Sequence, residues 1–417
     1  MPILVYGGCY RELCGSPPHN SLGGSGLRGA MLLSNTSKRE IQFLTWLYDD
    51  TKEPLTGALQ EYKCLNIHDS CEAFDLCKAP FFQYQNPLLP PRLKYDKPEI
   101  CSSIKLDTTY EAALVYGTLE TRPKIKAKKV VYDPQSPYAP TLFHENGSEA
   151  ESLAFVLNAS EAQSISRKKC IYKTANFIQQ YFLKPQNAIC DIIIIKLGHA
   201  GCWVCNRDEI ETVPAFETEK VFSIGSGDIF TSAFFNQWAL LGKSPVEAAR
   251  EASLTTARFC STGVIPESVG CSTLSVYGNL KEISTCSSDH TTKQIYLAGP
   301  FFNQAEIALI DFLRKELTTA WSTVFSPLHD VGFGNASEVY KLDIEGLENS
   351  DVIFVILNGQ DFGTIFELGY AVKAKKRIVC LAENIKHSDL TMALGSGAKI
   401  FDDITTAVYH ALWETLK

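Results

Sequence analysis

The hydrophobic positions of the chain form short apolar runs that alternate with segments of helical periodicity. Such alternation is typical of parallel β-strands whose two faces are covered by helices. The clearest apolar runs lie at residues 113–116, 130–132, 191–196, 295–298, 352–357 and 378–381. The pattern therefore predicts an α/β protein built on parallel sheets.

A polar stretch divides the chain into two parts. Residues 284–293, STCSSDHTTK, have no hydrophobic period and stand directly before an apolar run, which is typical of a linker. Because 417 residues exceed what one hydrophobic core usually covers, we predict two domains, residues 1–283 and 294–417. A second irregular stretch, residues 83–98, carries four prolines and cannot be a regular helix. It could form a lid over a pocket or a surface crossing.

Composition narrows the classes of partner. The formal net charge is -8, whereas nucleic-acid binding needs clustered lysine and arginine, so small-molecule substrates are favoured. No apolar run reaches the ~18 residues that cross a bilayer, so we expect no membrane partner. The fourteen cysteines follow no secretory leader, which predicts reduced thiols and a cytoplasmic protein. Cys202 and Cys205 form a C-x-x-C within a strand-like stretch and are interpreted as structural.

Several acidic residues follow the apolar runs of the carboxy-terminal part. The run 352–357 leads into a loop and helix start that carry Asp361 and Glu367, and Asp343 lies in an acidic helical segment. Each carboxylate alone could be a helix N-cap or a surface charge. Retaining cleavage of a glycosidic bond requires one carboxylate to attack the anomeric carbon and another acid to assist the leaving group. The cluster favours this chemistry.

These residues, with Tyr296 in the first strand of this part, resemble the nucleoside 2-deoxyribosyltransferase family over residues 294–417. The resemblance implies a flavodoxin-like doubly wound parallel sheet and a homo-oligomer, with no cofactor. It implies that Glu367 forms a covalent glycosyl intermediate, that Tyr296 orients Glu367, and that Asp343 and Asp361 hold and protonate the base.

The resemblance also implies three substrate-binding residues, which are Gly299, Phe301 and Gly363. Gly299 and Phe301 belong to a tight turn at the carboxyl end of a strand, where α/β sheets bind ligands. The sequence departs from the family at 389–392, DLTM, where the family places an asparagine that reaches the sugar of a neighbouring subunit. The choices between nucleoside and nucleotide, and between base transfer and hydrolysis, therefore stay open.

The amino-terminal part carries a glycine-rich turn that opens a helix. Backbone amides at Gly225, Ser226 and Gly227 could stabilise the negative charge of a transferring phosphoryl group. Asp228 could accept the proton of an attacking hydroxyl.

Further motifs accompany this turn in a fixed order, namely Asp133-Pro134, Asn158 with Glu161, and Lys196 with Gly198. Together they resemble the ribokinase-like (PfkB) family of sugar and nucleoside kinases, over residues 2–275. The resemblance implies a ribokinase-like α/β sandwich and ATP as phosphate donor. It makes Asp228 the catalytic base, places Lys196 and Gly198 at the ATP site, and lets Asn158 and Glu161 support phosphate and Mg, the metal indirectly through Glu161.

The acceptor-binding motif of this part keeps the two glycines Gly23 and Gly24 but has Arg28 where the family places asparagine. Likewise, Glu12 stands where a sugar-binding aspartate is common. Arg28 could bind the phosphate or carboxylate of an acceptor through a bidentate contact, or it could be a surface arginine. The departures predict an unusual acceptor.

The two parts together predict a bifunctional enzyme of nucleoside or nucleotide metabolism. One domain would cleave or exchange an N-glycosidic bond, and the other would phosphorylate a sugar or nucleoside hydroxyl. The alternative is a regulated effector of defence or toxin type, in which the kinase-like domain senses a nucleotide and gates the glycosidase domain.

Overall fold

The structure is a computed structural model, and it describes residues 2–62, 64–68, 73–74, 78–95, 104, 106–120, 122–136, 140–183, 189–269, 280–283 and 291–417. The chain divides into two compact units, Met1–Glu282 and Ile283–Lys417, called the first and second unit below. Of the predicted linker, residues 284–290 lie outside the described residues. Its last residue, Lys293, begins a strand.

The first unit contains six α-helices and seventeen strands within the described residues. The strands are β1 (Ile3–Tyr6), β2 (Tyr10–Cys14), β3 (His19–Gly23), β4 (Ile41–Leu44), β5 (Leu47–Tyr48), β6 (Leu65–Ile67), β7 (Ala73–Phe74), β8 (Phe81–Tyr84), β9 (Arg92–Lys94), β10 (Thr109–Tyr116), β11 (Lys126–Asp133), β12 (Glu149–Asn158), β13 (Ile192–Lys196), β14 (Cys202–Cys205), β15 (Ile210–Val213), β16 (Phe216–Glu217) and β17 (Lys281–Glu282). The helices are α1 (Ser25–Thr36), α2 (Asp49–Leu59), α3 (Ala159–Ser166), α4 (Ile171–Phe182), α5 (Ser226–Phe235) and α6 (Pro245–Thr262).

A nine-stranded sheet in the order β15-β14-β13-β12-β11-β10-β1-β4-β6 forms the centre of the first unit. All neighbours from β13 to β6 pair in parallel, and β14 and β15 add an antiparallel edge. The apolar runs predicted at 113–116, 130–132 and 191–196 lie in β10, β11 and, except for residue 191, β13, which confirms those strands. Helix α5 packs its apolar residues into the same core, because Ile229, Ala233 and Phe234 are fully buried there.

A second, smaller sheet of the first unit has the strand order β3-β2-β8-β9. The proline-rich stretch 83–98 was predicted to be irregular. This is wrong for part of it, since residues 83–84 end β8 and Arg92–Lys94 forms β9, which pairs antiparallel with β8. Pro87, Pro90 and Pro91 are tolerated because they fall between the two strands and not within the hydrogen-bonded ladder. Residues 96–98 of this stretch lie outside the described residues.

Within its described residues, the second unit contains five strands and five α-helices. They are β18 (Lys293–Ala298), β19 (Ser322–Phe325), β20 (Val352–Ile356), β21 (Arg377–Leu381), β22 (Lys399–Phe401), α7 (Gln304–Leu317), α8 (Ala336–Asn349), α9 (Phe362–Lys373), α10 (Thr391–Gly395) and α11 (Ile404–Thr415). The sheet order is β19-β18-β20-β21-β22 and every pair is parallel. This is the flavodoxin-like order, so the predicted doubly wound sheet is confirmed.

Two further predictions concern the C-x-x-C motif and membrane-spanning segments. The C-x-x-C of Cys202 and Cys205 lies in the buried antiparallel strand β14, where both thiols are free. This placement agrees with the structural interpretation of the motif. No helix among the described residues has the length and apolar character required to cross a bilayer.

A glycine brings α8 close to the sheet of the second unit. A Cβ atom at Gly346 would lie 2.4 Å from ring atoms of Phe325 at the end of β19. The Phe325 ring in turn stacks on Tyr296 of β18, with 5.5 Å between ring centroids. The position of α8, which carries Asp343 one turn earlier, therefore depends on the absence of a side chain at residue 346.

We expect Gly346→Ala to lower the free energy of unfolding by about 1–3 kcal/mol, because the added methyl group overpacks this contact. Gly369→Ala is the matched control, since Gly369 lies in α9 with no atom within 4 Å of its would-be Cβ. That control should gain about 0.5–1 kcal/mol from helix propensity. Thermal and urea denaturation measure both. Equal stabilisation by the two substitutions would show that α8 does not need the close approach.

Candidate active sites

The first candidate site lies where β18 and β20 of the second unit end side by side. Tyr296 is fully buried in β18, and its hydroxyl donates a hydrogen bond to Oε1 of Glu367 at 2.7 Å. Glu367 lies in α9, which follows the loop after β20. Because adjacent parallel strands deliver both segments to one edge of the sheet, residues 71 positions apart meet there.

Asp343 of α8 adds a second carboxyl group to this site. It is half-buried, and within the described residues its Oδ1 is buried without a hydrogen-bond partner. A buried polar atom is normally paired in a folded protein, so an unpaired carboxyl oxygen at a site edge is suited to meet a ligand. Loss of solvent raises the pKa of Asp343 to about 6.

The carboxyl group of Glu367 is also held away from water. Burial raises its pKa to about 7, the Tyr296 hydroxyl opposes this rise, and the charges of Asp343 and Asp361 add to it. Glu367 and Asp343 are therefore two carboxyl groups whose pKa values lie near neutral pH. Titratable groups of this kind are common in catalytic sites.

Asp361 serves as the N-cap of α9. Its Oδ2 accepts hydrogen bonds from the Thr364 amide at 2.8 Å and from the Thr364 hydroxyl at 3.0 Å. The helix-cap alternative for this residue is thus realised in the structure. Its charge still acts on Glu367, and Gly363 lies beside it, where a Cβ would be 3.1 Å from Oδ2.

Aromatic side chains follow the turn after β18. Phe301 stacks on Phe302 with ring centroids 5.6 Å apart, and Phe333 meets Phe301 edge-on at 6.0 Å. Phe302 and Phe333 are 72% and 83% exposed. Gly299 allows the turn to pass close to β20, since a Cβ there would lie 2.7 Å from Cδ1 of Ile356. Sequence reasoning found Phe301 but missed Phe333, which belongs to no motif.

The second candidate site lies at the start of α5 in the first unit. Gly225 is the N-cap of this helix and has a φ of 81°, a left-handed conformation that favours glycine. Of the three predicted anion-binding amides, that of Ser226 donates to the Ser223 carbonyl at 3.1 Å and is thus bonded within the turn. Asp228 follows in the first helical turn.

Both carboxylate oxygens of Asp228 have partners from distant parts of the chain. Oδ1 accepts a hydrogen bond from Nε2 of Gln135 at 2.7 Å, and Oδ2 accepts one from Nη1 of Arg28 at 2.9 Å. Burial raises the pKa of Asp228, and the charge of Arg28 opposes this rise. Gln135 has a φ of 46°, which is uncommon for a residue with a side chain. Sequence reasoning did not find Gln135.

Arg28 is 8% exposed, so the expectation of a surface arginine is wrong. Its Nη1 bonds Oε1 of Glu12 at 3.0 Å and its Nη2 bonds Oε2, which makes a bidentate ion pair. Burial opposes the charge of Arg28, but Glu12 and Asp228 more than offset this and raise the pKa of Arg28. Glu12 also accepts the Gly24 amide at 3.1 Å. The predicted contact of Arg28 with an anionic acceptor stays a prediction.

A second buried ion pair, between Lys196 and Asp133, lies beside the first turn of α5. Nζ of Lys196 is 2.7 Å from Oδ2 of Asp133, which also accepts the Thr231 hydroxyl at 2.8 Å. A Cβ at Gly227 would lie 3.3 Å from the same Nζ, so this ammonium stands beside the first turn of α5. The arrangement places a fixed positive charge where a phosphate at the helix start would need one.

Asn158 and Glu161 form a capping box at the start of α3, which follows β12. Burial and the charge of Asp133 raise the pKa of Glu161 to about 7, and Lys196 opposes this rise. Gly198 lies in the turn after β13, with a φ of 59°. Strands β11, β12 and β13 are neighbours, so the predicted phosphate-site residues come from adjacent strand ends.

Magnesium fits this site only as an ion carried largely by its ligand. Across the described ranges, no group of three or more histidine, cysteine or acidic side chains could hold a metal. Mg²⁺ usually keeps several waters and binds substrate phosphates with one or two carboxylates. Oδ1 of Asp133, buried and without a hydrogen-bond partner in the described structure, and the nearby Glu161 are the carboxylates available.

Both units are similar to known proteins. Residues 109–263 match the sequence model described as pfkB family carbohydrate kinase, and residues 295–400 match that of nucleoside 2-deoxyribosyltransferase. An uncharacterized sugar kinase from Archaeoglobus fulgidus is 24% identical over 192 residues, which are 42% of this chain and 68% of that protein. The chain thus joins a PfkB-like segment to a nucleoside 2-deoxyribosyltransferase-like segment, as its motifs predict.

A solved structure supports the fold of the first unit. A fructokinase double mutant from Vibrio cholerae O395, in a form that holds fructose, ADP and potassium ion, aligns with a TM-score of 0.50 and 13% identity. The alignment covers 63% of this chain and 92% of that one. It confirms the predicted ribokinase-like α/β fold.

The raised pKa of Glu367 predicts a pH-dependent cost to stability. The folded state keeps the proton up to about pH 7, whereas an unfolded glutamate releases it near 4.3, so stability falls as pH rises between these values. We expect Glu367→Gln to match the wild type near pH 5 and to exceed it at about pH 8 by on the order of 3 kcal/mol.

Thermal and urea denaturation at both pH values measure this difference. Glu345→Gln in α8 is the control, because Glu345 is exposed and its charge is solvated in both states. A gain for Glu367→Gln that does not grow with pH would contradict the buried, proton-retaining carboxyl group.

Proposed function

We propose that the second unit cleaves or exchanges the N-glycosidic bond of a nucleoside or nucleotide through a covalent intermediate on Glu367. The observation that carries this proposal is the Tyr296–Glu367–Asp343 arrangement. It places Glu367, oriented by Tyr296, beside a second carboxyl group, Asp343. Both carboxyl groups hold protons near neutral pH, and the productive form is the one with Glu367 ionised and Asp343 protonated. Retaining glycosidic chemistry needs a nucleophile and an acid of this kind.

The proposed steps follow from the two carboxyl groups. Because Oε1 of Glu367 accepts the Tyr296 hydroxyl, Oε2 attacks the anomeric carbon while the bond to the base nitrogen breaks. The bond's electron pair leaves with the base, which takes a proton from Asp343 or Asp361. Water or a second base then gives a proton back to that aspartate and attacks the same carbon, the bond from this carbon to Oε2 breaks, and the Glu367 carboxylate is released. Water gives hydrolysis and a base gives transfer.

For the first unit we infer phosphoryl transfer from ATP to a sugar or nucleoside hydroxyl. The bond between the γ-phosphorus and the ADP oxygen breaks, a bond from phosphorus to the acceptor oxygen forms, and the hydroxyl proton goes to Asp228. Lys196 and the first turn of α5 stabilise the phosphoryl charge. Mg bound with ATP would neutralise phosphate charge, and Glu161 and Asp133 are the residues that would hold it. We further propose two domains at residues 1–283 and 294–417, a homo-oligomer and a cytoplasmic location.

Chromatographic detection of free base tests the second unit. Wild-type protein should release base from at least one member of a panel of nucleosides and 5'-nucleotides, and Glu367→Gln should release none, because an amide cannot form the glycosyl ester. Glu345→Gln should behave as wild type. Adding a second base separates transfer from hydrolysis. Release that persists in Glu367→Gln would remove Glu367 from the reaction.

ATP turnover tests the first unit. Asp228→Asn should lower acceptor-dependent ADP formation by about 100-fold or more, since the proton acceptor is lost. Asp208→Asn is the control, because Asp208 is exposed on the same unit. ³¹P spectra of the products identify the phosphorylated hydroxyl. Turnover that is unchanged in Asp228→Asn would exclude this residue as the base.

One observation favours the effector alternative. Both oxygens of Asp228 are already hydrogen-bonded within the protein, one of them to a guanidinium. A unit in this state could bind a nucleotide and gate the second unit without transferring phosphate. Base release that depends on added ATP, with no ADP formed, distinguishes this alternative from the enzyme pair.

A further inference from the structure

The guanidinium of Arg28 is hydrogen-bonded to Asp228, the proposed base of the first unit. Its Nη1 lies 2.9 Å from Oδ2 of Asp228 and 3.0 Å from Oε1 of Glu12, and Nη2 completes a bidentate pair with Glu12. The three side chains come from α1, α5 and β2. Their side chains are at most 13% exposed, so water does not weaken the ion pairs much.

The backbone around Arg28 is shaped to hold it. A Cβ at Gly225 would lie 2.3 Å from Nε of Arg28, and a Cβ at Gly23 would lie 2.9 Å from Nη2. The guanidinium therefore fits between two glycines that border the site. Glu12 is itself fixed by the Gly24 amide at 3.1 Å. The position of Arg28 is thus set on three sides by the backbone and by two carboxylates.

This position conflicts with the chemistry of Asp228. A general base must lie within hydrogen-bond reach of the proton that it removes. Oδ1 of Asp228 is bonded to Gln135, and Oδ2 is bonded to Arg28. A guanidinium paired with a carboxylate also favours the charged carboxylate and makes it a weaker base. A carboxylate oxygen can accept two hydrogen bonds, but a hydroxyl that approaches Oδ2 from the side of Glu12 meets the guanidinium, which bridges the two carboxylates.

We propose that Arg28 is a specificity-determining residue that fills the acceptor pocket of the first unit, competes with the acceptor hydroxyl for Asp228, and thereby excludes neutral sugars and nucleosides. This inference rests on the proposed role of Asp228 in phosphoryl transfer. A neutral hydroxyl is a weaker partner than a charge-assisted bidentate pair, so it does not displace Arg28 from two carboxylates. Phosphoryl transfer to a neutral acceptor requires Arg28 to move.

The test replaces the ion pair without changing the charge of the pocket. The double variant Glu12→Gln, Arg28→Gln removes one negative and one positive charge, whereas Arg28→Gln alone would leave two buried carboxylates without a counter-ion and risk unfolding. Arg39→Gln is the matched control, since Arg39 is exposed shortly after α1. Circular dichroism establishes that each variant is folded.

Calorimetry with D-ribose, D-fructose and inosine, in the presence of a non-hydrolysable ATP analogue, measures the opening of the pocket. We expect the double variant to bind at least one of these neutral ligands about ten-fold or more tightly than the wild type, and Arg39→Gln to bind as the wild type does. Equal affinity of the double variant and the wild type, including no binding by either, overturns the proposal.

Arg28→Lys provides a second measure if the double variant does not fold. A single ammonium cannot bridge two carboxylates as the guanidinium does, so this variant should also bind the neutral ligands more tightly than the wild type. Equal affinity overturns the proposal here too. ³¹P detection with ATP is run in parallel. Tighter binding without any phosphate transfer supports the role of Arg28 and contradicts phosphoryl transfer, whereas equal binding with transfer does the reverse.

Discussion

The hydrogen bond between the Tyr296 hydroxyl and Glu367 joins β18, the first strand of the second unit, to the helix that carries the proposed nucleophile. A carboxylate taken out of water keeps its charge only when donors or cations replace the lost solvent. Here the Tyr296 hydroxyl favours the charge, while burial and two acidic neighbours oppose it, and the pKa rises to about 7. The ionised form of Glu367 is therefore sparingly solvated, and it is this form that can attack carbon to give a glycosyl intermediate.

Burial also raises the pKa of Asp228 in the first unit, but Asp228 has more partners that oppose this rise. Its charge is met by the Arg28 guanidinium and the Gln135 amide, and Arg28 is bound in turn by Glu12. Such pairing stabilises a buried carboxylate and lowers its tendency to accept a proton. The two units therefore differ in what is left for a ligand. Tyr296 bonds only Oε1 of Glu367, whereas each oxygen of Asp228 accepts a hydrogen bond from a side chain.

Local pattern was sufficient to predict strands β10, β11, β13, β18, β20 and β21 and the turn that carries Asp228, whereas the flavodoxin-like order was implied by the family resemblance. Strand runs and glycine-rich turns are short-range signals, and the meeting of Tyr296 with Glu367 follows once parallel strand ends are placed side by side. The partners of Asp228 could not be found in this way. Arg28 is 200 residues and Gln135 is 93 residues from it, so their contact depends on the packed core.

The departures from the family pattern show the same limit. Glu12 and Arg28 were each recognised as unusual residues, and each was considered alone as a ligand contact. They are 16 residues apart, on a strand and a helix, and the sequence contains no period that brings them together. In the structure the two residues pair with each other in a buried place, so each provides the charge partner that the other needs.

Hydrolysis and base transfer by the second unit have different consequences for the first. Transfer replaces one glycosidic bond by another and creates no new hydroxyl, whereas hydrolysis leaves a sugar with a free anomeric hydroxyl. Phosphoryl transfer consumes a hydroxyl. A sugar product of hydrolysis can therefore serve as acceptor, but a neutral one must first displace Arg28 from Asp228. A sugar that keeps a 5'-phosphate carries an anionic group that can pair with a guanidinium. The open choice between nucleoside and nucleotide in the second unit is thus the same chemical question that Arg28 poses in the first.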